Sequence, residues 1–147
     1  MDPQWAVRLD RTVGRPVYRL HRLAYQLTGG RIGHRSPAGP ILLLTTTGRR
    51  SGAPRTTPLL YMPLDGAWVV VASNGGRPSP PAWLLNLQAD PRASVQVGRQ
   101  RWPVEAEVLT GEERERLWPR LCAFYPGWAH YQTLTDRPIP AVVLRPR

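Results

Sequence analysis

The chain has no lysine: all 20 of its basic residues are arginine, and only 10 acids oppose them, for a formal net charge of +10. Cysteine is nearly absent. The single thiol, Cys122, excludes an intrachain disulfide and a thiolate metal cluster, and fits a reducing cytosol. Long apolar runs are missing as well: "ILLL" and "WVVVA" fall far short of the ~20 residues a membrane span needs. With no signal peptide before "MDPQWAVRLD", the expected location is the cytoplasm, with at most peripheral contact at the inner face of a membrane. His21, His34 and His130 share no ligand spacing with one another or with acids, which reads as surface histidines and no metal site. "ASNGG" around Ser73 is not the G-x-S-x-G elbow of hydrolases, "GRRSG" lacks P-loop spacing, and no paired carboxylates stand out. An enzyme made from these residues takes its hard chemistry from a bound cofactor. Neither internal repeats nor low-complexity tracts occur.

What is present fits one domain of 147 residues, a size that buries roughly 70% of its unfolded surface. Residues 11 to 28 place Val13, Val17, Leu20, Ala24 and Leu27 on one stripe of a helix, with Arg15, Arg19 and Arg22 pointing elsewhere. Pro16 belongs in its first turn. "TGGRIGHRSPAGP" reads as a linker, so residues 1–37 form a basic amphipathic helix with its connection, and residues 38–147 form the main body. Six segments of that body read as strands: "ILLLTTT", "RTTPLLYM", "WVVVAS", "ASVQV", "QRWPVEAEVL" and "IPAVVL". Two further helices interrupt them, "PAWLLNLQA" with Ser79 as N-cap and Pro80 and Pro81 in the first turn, and "GEERERLWPRLCAFY" with leading acids suited to the helix dipole. The pattern predicts an α+β protein built on a small barrel.

The charge demands an anionic partner: nucleic acid, an anionic membrane or a polyanionic small molecule. Between two strands stands "GRRSGAP", a costly hairpin connection compared with Asn-Gly, because two adjacent guanidiniums repel. Gly48, Arg49, Arg50, Ser51 and Gly52 suit a phosphate or a row of carboxylates, which guanidinium forks grip bidentately; the alternative is a solvated turn. "SNGGRPSPPAW" repeats the theme with two glycines, Arg77 and a helix start.

Three ordered segments, "LLTTTGRRSGAPRTTPLLY", "VVVASNGGRPSPPAWLLNLQADPRASVQVG" and "YPGWAHYQTLTDRPIPAVVL", resemble the deazaflavin-dependent nitroreductase and quinone reductase family, which uses coenzyme F420, an 8-hydroxy-5-deazaflavin. The resemblance covers about residues 38 to 146. It implies a split β-barrel related to flavin-binding oxidase folds, here with an N-terminal amphipathic helix and two further helices. It also implies that Gly48 to Gly52 bind the cofactor's phosphate and glutamate tail, that Ser73 to Gly76 line the cofactor, and that Trp83 and Asn86 lie near its ring and ribityl chain. Pro54, Arg55, Thr57, Pro58, Ala72, Asn74 and Gly75 belong to the same cofactor-binding set. Leu60, Tyr125, Trp128 and Tyr131 would wall the substrate pocket. Asn74 stands where many relatives have lysine, Trp128 where tyrosine is common, and Leu60 in place of a tyrosine, so substrate range is open.

The implied reaction is hydride transfer from reduced F420 to a quinone, nitroaromatic or similar electron-poor acceptor, with Ser73 and Tyr131 as donors to the developing oxyanion. Each also has an ordinary structural reading, a strand-end hydroxyl and a core aromatic. A carrier of deazaflavin or of a lipid-like ligand, without turnover, would use the same residues; nucleic acid is not expected, since no alternating basic and aromatic strand face appears. Residues 1 to 35 carry seven arginines against two aspartates. Their helix either lies on an anionic membrane, where an isoprenoid quinone resides, or packs its stripe on the barrel. Purified protein is expected to bind the deazaflavin in preference to FMN, and equal or tighter FMN binding in a fluorescence titration would overturn that assignment.

Overall fold

Runs such as "WVVVA" and "AVVL" are apolar at consecutive positions, as in strands covered on both faces. The computed structural model describes residues 14–30 and 33–147, the first five as backbone only, and shows what covers these strands. Eight strands, β1 (Arg35–Ser36), β2 (Gly39–Thr47), β3 (Pro54–Leu60), β4 (Met62–Leu64), β5 (Ala67–Val71), β6 (Arg92–Val97), β7 (Gln100–Leu109) and β8 (Ala141–Pro146), form one antiparallel sheet. Its order is β1-β2-β6-β7-β8-β5-β4, with β3 also paired to β2. Only Tyr61 separates β3 from β4, and these pair with β2 and β5 respectively. The run from Pro54 to Leu64 therefore ties distant parts of the sheet together and curls it into a half-barrel.

Four helices complete the described residues: α1 (Gly14–Thr28), α2 (Ala82–Ala89), α3 (Gly111–Phe124) and α4 (Pro126–Thr133). Val70 pairs with Val142 and Val69 with Val143, so alternate residues of β5 and β8 supply opposite faces. One face, with Leu42, Leu44, Val70, Val95, Val142 and Leu144, packs against Trp83, Leu84 and Leu87 of α2. The other, with Val69, Val71, Leu109, Ala141 and Val143, packs against Leu121 of α3 and Trp128 of α4. Both strands are thus buried twice.

The α+β class and all six expected strand segments are present, with four corrections. "RTTPLLYM" is interrupted at Tyr61. The expected linker contains β1, hydrogen-bonded back to Gly39 and Pro40. Helix α2 starts at Ala82 with Pro81 as N-cap, and the Ser79 carbonyl instead accepts a bond from Asn74 Nδ2 at 2.9 Å. The body carries three helices where two were expected, because Pro126 restarts the chain as α4 directly after α3 ends at Tyr125.

Helix α1 inverts the expected stripe. Val13, Arg15, Pro16 and Val17 lie outside the described side chains, but Leu20 and Leu27 are 69% and 76% exposed, and Leu23 is exposed with them. The face against the sheet carries His21, Arg22 and Tyr25, adjacent by the helical repeat. Packing of the leucine stripe on the barrel is thereby ruled out. Apolar spacing misled because the anchor is a tyrosine: its ring joins Ile41 and Leu43, and its hydroxyl lies within bonding distance of the carbonyls of Ile41 (3.1 Å) and Gln96 (3.2 Å). The same oxygen accepts the Gly98 amide at 2.8 Å. Burial pushes the Tyr25 phenol above its ordinary pKa, which keeps the donating proton in place. Tyr25→Phe removes the hydroxyl that bonds these backbone groups and is expected to cost about 1 to 3 kcal/mol. A thermal melt several degrees lower, with an unchanged far-ultraviolet spectrum, checks this.

Candidate functional site

Strands β2 and β3 are joined by the two-arginine turn. The Gly48 amide donates to the Ala53 carbonyl and the Gly52 amide to the Gly48 carbonyl, both at 2.8 Å, and Gly52 takes φ 72°, which a side chain would strain. Ser51 Oγ accepts the Ala53 amide at 3.1 Å, leaving its proton directed elsewhere. A residue from another element holds the turn. Asn86 of α2, 4% exposed, accepts at Oδ1 both the Arg49 backbone amide (3.1 Å) and Arg49 Nη1 (3.2 Å), and donates from Nδ2 to Thr46 Oγ1 at 3.1 Å. Core packing of Trp83, Leu84 and Leu87 fixes α2, and Asn86 transmits that position to the arginines.

The turn opens onto a groove of about 700 Å³. Gly48, Arg49, Arg50, Ser51, Arg55, Thr57, Pro58, Trp83 and Asn86, all expected cofactor ligands, line it together with Thr56 and Ala82. So do Arg19 and Arg22 of α1, which apolar periodicity had assigned only to a basic face. Among the described residues the lining contains five guanidiniums and no carboxylate. Arg49 bonds an amide oxygen and Arg22 a backbone carbonyl, while Arg19, Arg50 and Arg55 have no bonding partner among the described residues. Such a donor set beside the edge of Trp83 fits a ligand with a polyanionic tail and a planar apolar part.

Ser73 to Gly76 occupy a second location. Asn74, Gly75 and Gly76 take φ values of 48°, 65° and 79°, forming a tight turn after β5. A Cβ on Gly76 would lie 2.9 Å from the Tyr131 carbonyl and from Leu134, so only glycine lets the turn sit this close to α4. Arg137 clamps the turn from outside, donating from Nη2 to the Ser73 carbonyl (2.9 Å) and the Ala72 carbonyl (3.2 Å) and from Nε to the Arg77 carbonyl (3.0 Å). Burial pulls this guanidinium below its ordinary pKa. Sequence reading missed Arg137, Thr46 and Tyr25, whose partners are distant in the chain.

Leu60, Tyr125, Trp128 and Tyr131 come together in the core under α3 and α4. Trp128 is 3% exposed and packs edge-on against Tyr125, with ring centroids 5.4 Å apart. Asn74 spends its side-chain amide on Ser79, which fixes the loop. Ala72 is buried in the core, and Gly52 and Pro54 line a separate groove with Asp90, Arg92 and Arg147. Among the described residues no cluster of His, Cys, Asp and Glu can hold a metal ion, and no helix is long and apolar enough to cross a membrane.

The family model for F420H(2)-dependent quinone reductases matches residues 17–146. The chain belongs to this family. It is 43% identical over 143 residues to an F420H(2)-dependent quinone reductase of Mycobacterium tuberculosis, covering 95% of this chain and 96% of that one. Its structure resembles that of an F420-H2 dependent reductase at 45% identity and TM-score 0.66, over 72% of this chain and 94% of the other. It also resembles a chain solved as a domain-swapped dimer, at 38% identity and TM-score 0.69, over 98% and 100% of the two chains. The expected enzyme class, coenzyme F420 as cofactor and a quinone as acceptor agree with the family.

In this chain the buried Asn86 carboxamide is a positioning group for the arginine turn. Asn86→Ala leaves the Arg49 amide and Thr46 hydroxyl without their partner, and cofactor affinity is expected to fall by about 1 to 2 kcal/mol. Titration of the intrinsic deazaflavin fluorescence measures the change.

Proposed function

We propose that the arginine groove is the F420 site and that the chain reduces a quinone held beside the Ser73 turn and α4. The observation that carries this reading is the set of five guanidiniums, without a carboxylate among the described lining residues, joined to Trp83 on a helix packed into the core. Arg49, Arg50, Arg55 and Ser51 would hold the phosphate and glutamate tail, and Trp83 with Ser73 to Gly76 would flank the ring. The half-barrel is read as the split barrel of flavin-binding folds. When bound, reduced deazaflavin supplies a two-electron hydride donor.

The chain's own part is positioning and charge stabilisation. The clamp of Arg137 on three carbonyls fixes the Ser73 turn, and Gly76 seats that turn on α4, the helix that carries Tyr131. The hydroxyls of Ser73 and Tyr131 are assigned to donate to the acceptor oxygen as it gains negative charge. Trp128 and Leu60 shape the wall by packing, which replaces tyrosine hydroxyls with apolar surface and suits a quinone ring. Nitroaromatic acceptors, which need the same oxyanion stabilisation, fall within the proposed range. The exposed leucines of α1 beside Arg19 support peripheral contact with an anionic membrane, where a long-tailed quinone is found.

Purified protein mixed with reduced F420 and menadione is expected to restore the fluorescence of oxidised deazaflavin. Tyr131→Phe keeps the ring and removes the hydroxyl, and should lower turnover about tenfold or more while cofactor affinity changes little. Cofactor binding without any return of fluorescence would instead identify a carrier, and unchanged turnover in the variant would assign Tyr131 to packing.

A further inference from the structure

The basic face of α1 also reaches the groove of the two-arginine turn. Arg19 and Arg22, one turn apart on the helix, line the same groove as Arg49, Arg50 and Arg55. Arg22 Nη1 donates to the Thr56 carbonyl at 3.2 Å, which fixes that guanidinium on β3 next to Arg55. The helix cannot drift from this position without releasing buried Tyr25, whose hydroxyl bonds two strands. The groove thus has two sources of positive charge: three arginines on the hairpin, and two on a helix separated from them by more than twenty residues of chain. Among the described residues neither set is neutralised by an acid in the lining.

A single phosphate is satisfied by one or two bidentate guanidiniums. Five lining one groove, with Arg22 fixed on the Thr56 carbonyl and Arg49 on Asn86, match an extended ligand with several anionic groups in a row. We propose that Arg19 and Arg22 bind carboxylates of the cofactor's glutamate tail and make affinity increase with tail length. This rests on the assignment of the groove to the cofactor. It makes α1 part of the binding site.

The test compares three ligands: F420 with several glutamates, the phosphate-bearing form without glutamate, and the tail-less deazaflavin, each titrated by fluorescence against wild type, Arg19→Ala and Arg22→Gln. Wild type should prefer the long-tailed form. Because Arg19 is exposed and lacks a bonding partner among the described residues, Arg19→Ala should keep the wild-type circular dichroism and melt. It should weaken the long-tailed cofactor by about three- to tenfold, with the tail-less ligand within about twofold. Arg22→Gln should show the same selectivity, and if it disturbs folding, Arg19→Ala decides alone. Tight wild-type binding without tail-length preference, or an equal loss for all three ligands, overturns the role of α1 and leaves the hairpin site standing. Failure of wild type to bind any of the three better than FMN overturns the groove assignment itself.

Discussion

The carboxamide of Asn86 joins the three parts of the molecule on which the site depends. It bonds the Thr46 hydroxyl at the end of β2, the Arg49 amide in the turn, and the Arg49 guanidinium. A neutral side chain with both donor and acceptor faces is needed there, since a carboxylate would cancel the charge of the groove and an apolar residue would leave buried polar groups unpaired. Two adjacent arginines in a hairpin are mutually repulsive, and the Asn86 bridge is what holds one of them in a defined place. Arg50 and Arg55 remain exposed at the groove.

Double-sided burial of β5 and β8 organises the rest. The face under α2 supports the groove, while the face under α3 and α4 supports the aromatic wall. The Ser73 turn leaves β5 where these two layers meet. Its left-handed residues and the missing Cβ of Gly76 bring it onto α4, and Arg137 ties three of its carbonyls. One strand end thus meets the helix that carries Tyr131. The aromatic residues serve two ends at once: Trp128 is a core residue by burial, and its neighbours Tyr125 and Tyr131 are only partly buried.

Much of this was legible in the residues. Alternation and turn chemistry located six strand segments, charge and glycine singled out the GRRSG turn that lines the basic groove, and three ordered segments pointed to the family. Local signals of that kind depend on neighbours in sequence. Helix α4 escaped because Pro126 follows the preceding helix so closely that an aromatic-rich stretch looked like loop. The orientation of α1 escaped for a different reason: counting leucines ignores that a buried tyrosine can pack its ring on the sheet while its hydroxyl donates to a strand carbonyl and accepts the Gly98 amide, which decides the face that packs.

Amino-acid order by itself determined the class of fold, the sign of the ligand's charge and the need for a cofactor, because each follows from composition, short-range periodicity or the absence of catalytic groups. Tertiary structure alone decided which arginines share a groove. Arg19 and Arg22 meet Arg49, Arg50 and Arg55 only because Tyr25 seats α1 against the sheet and Arg22 reaches the Thr56 carbonyl. The same holds for Asn86 with Arg49 and for Arg137 with the Ser73 turn, pairs 37 and 64 residues apart in the chain. Long-range hydrogen bonds of this kind leave no spacing to read, since their geometry is set by the curl of the sheet.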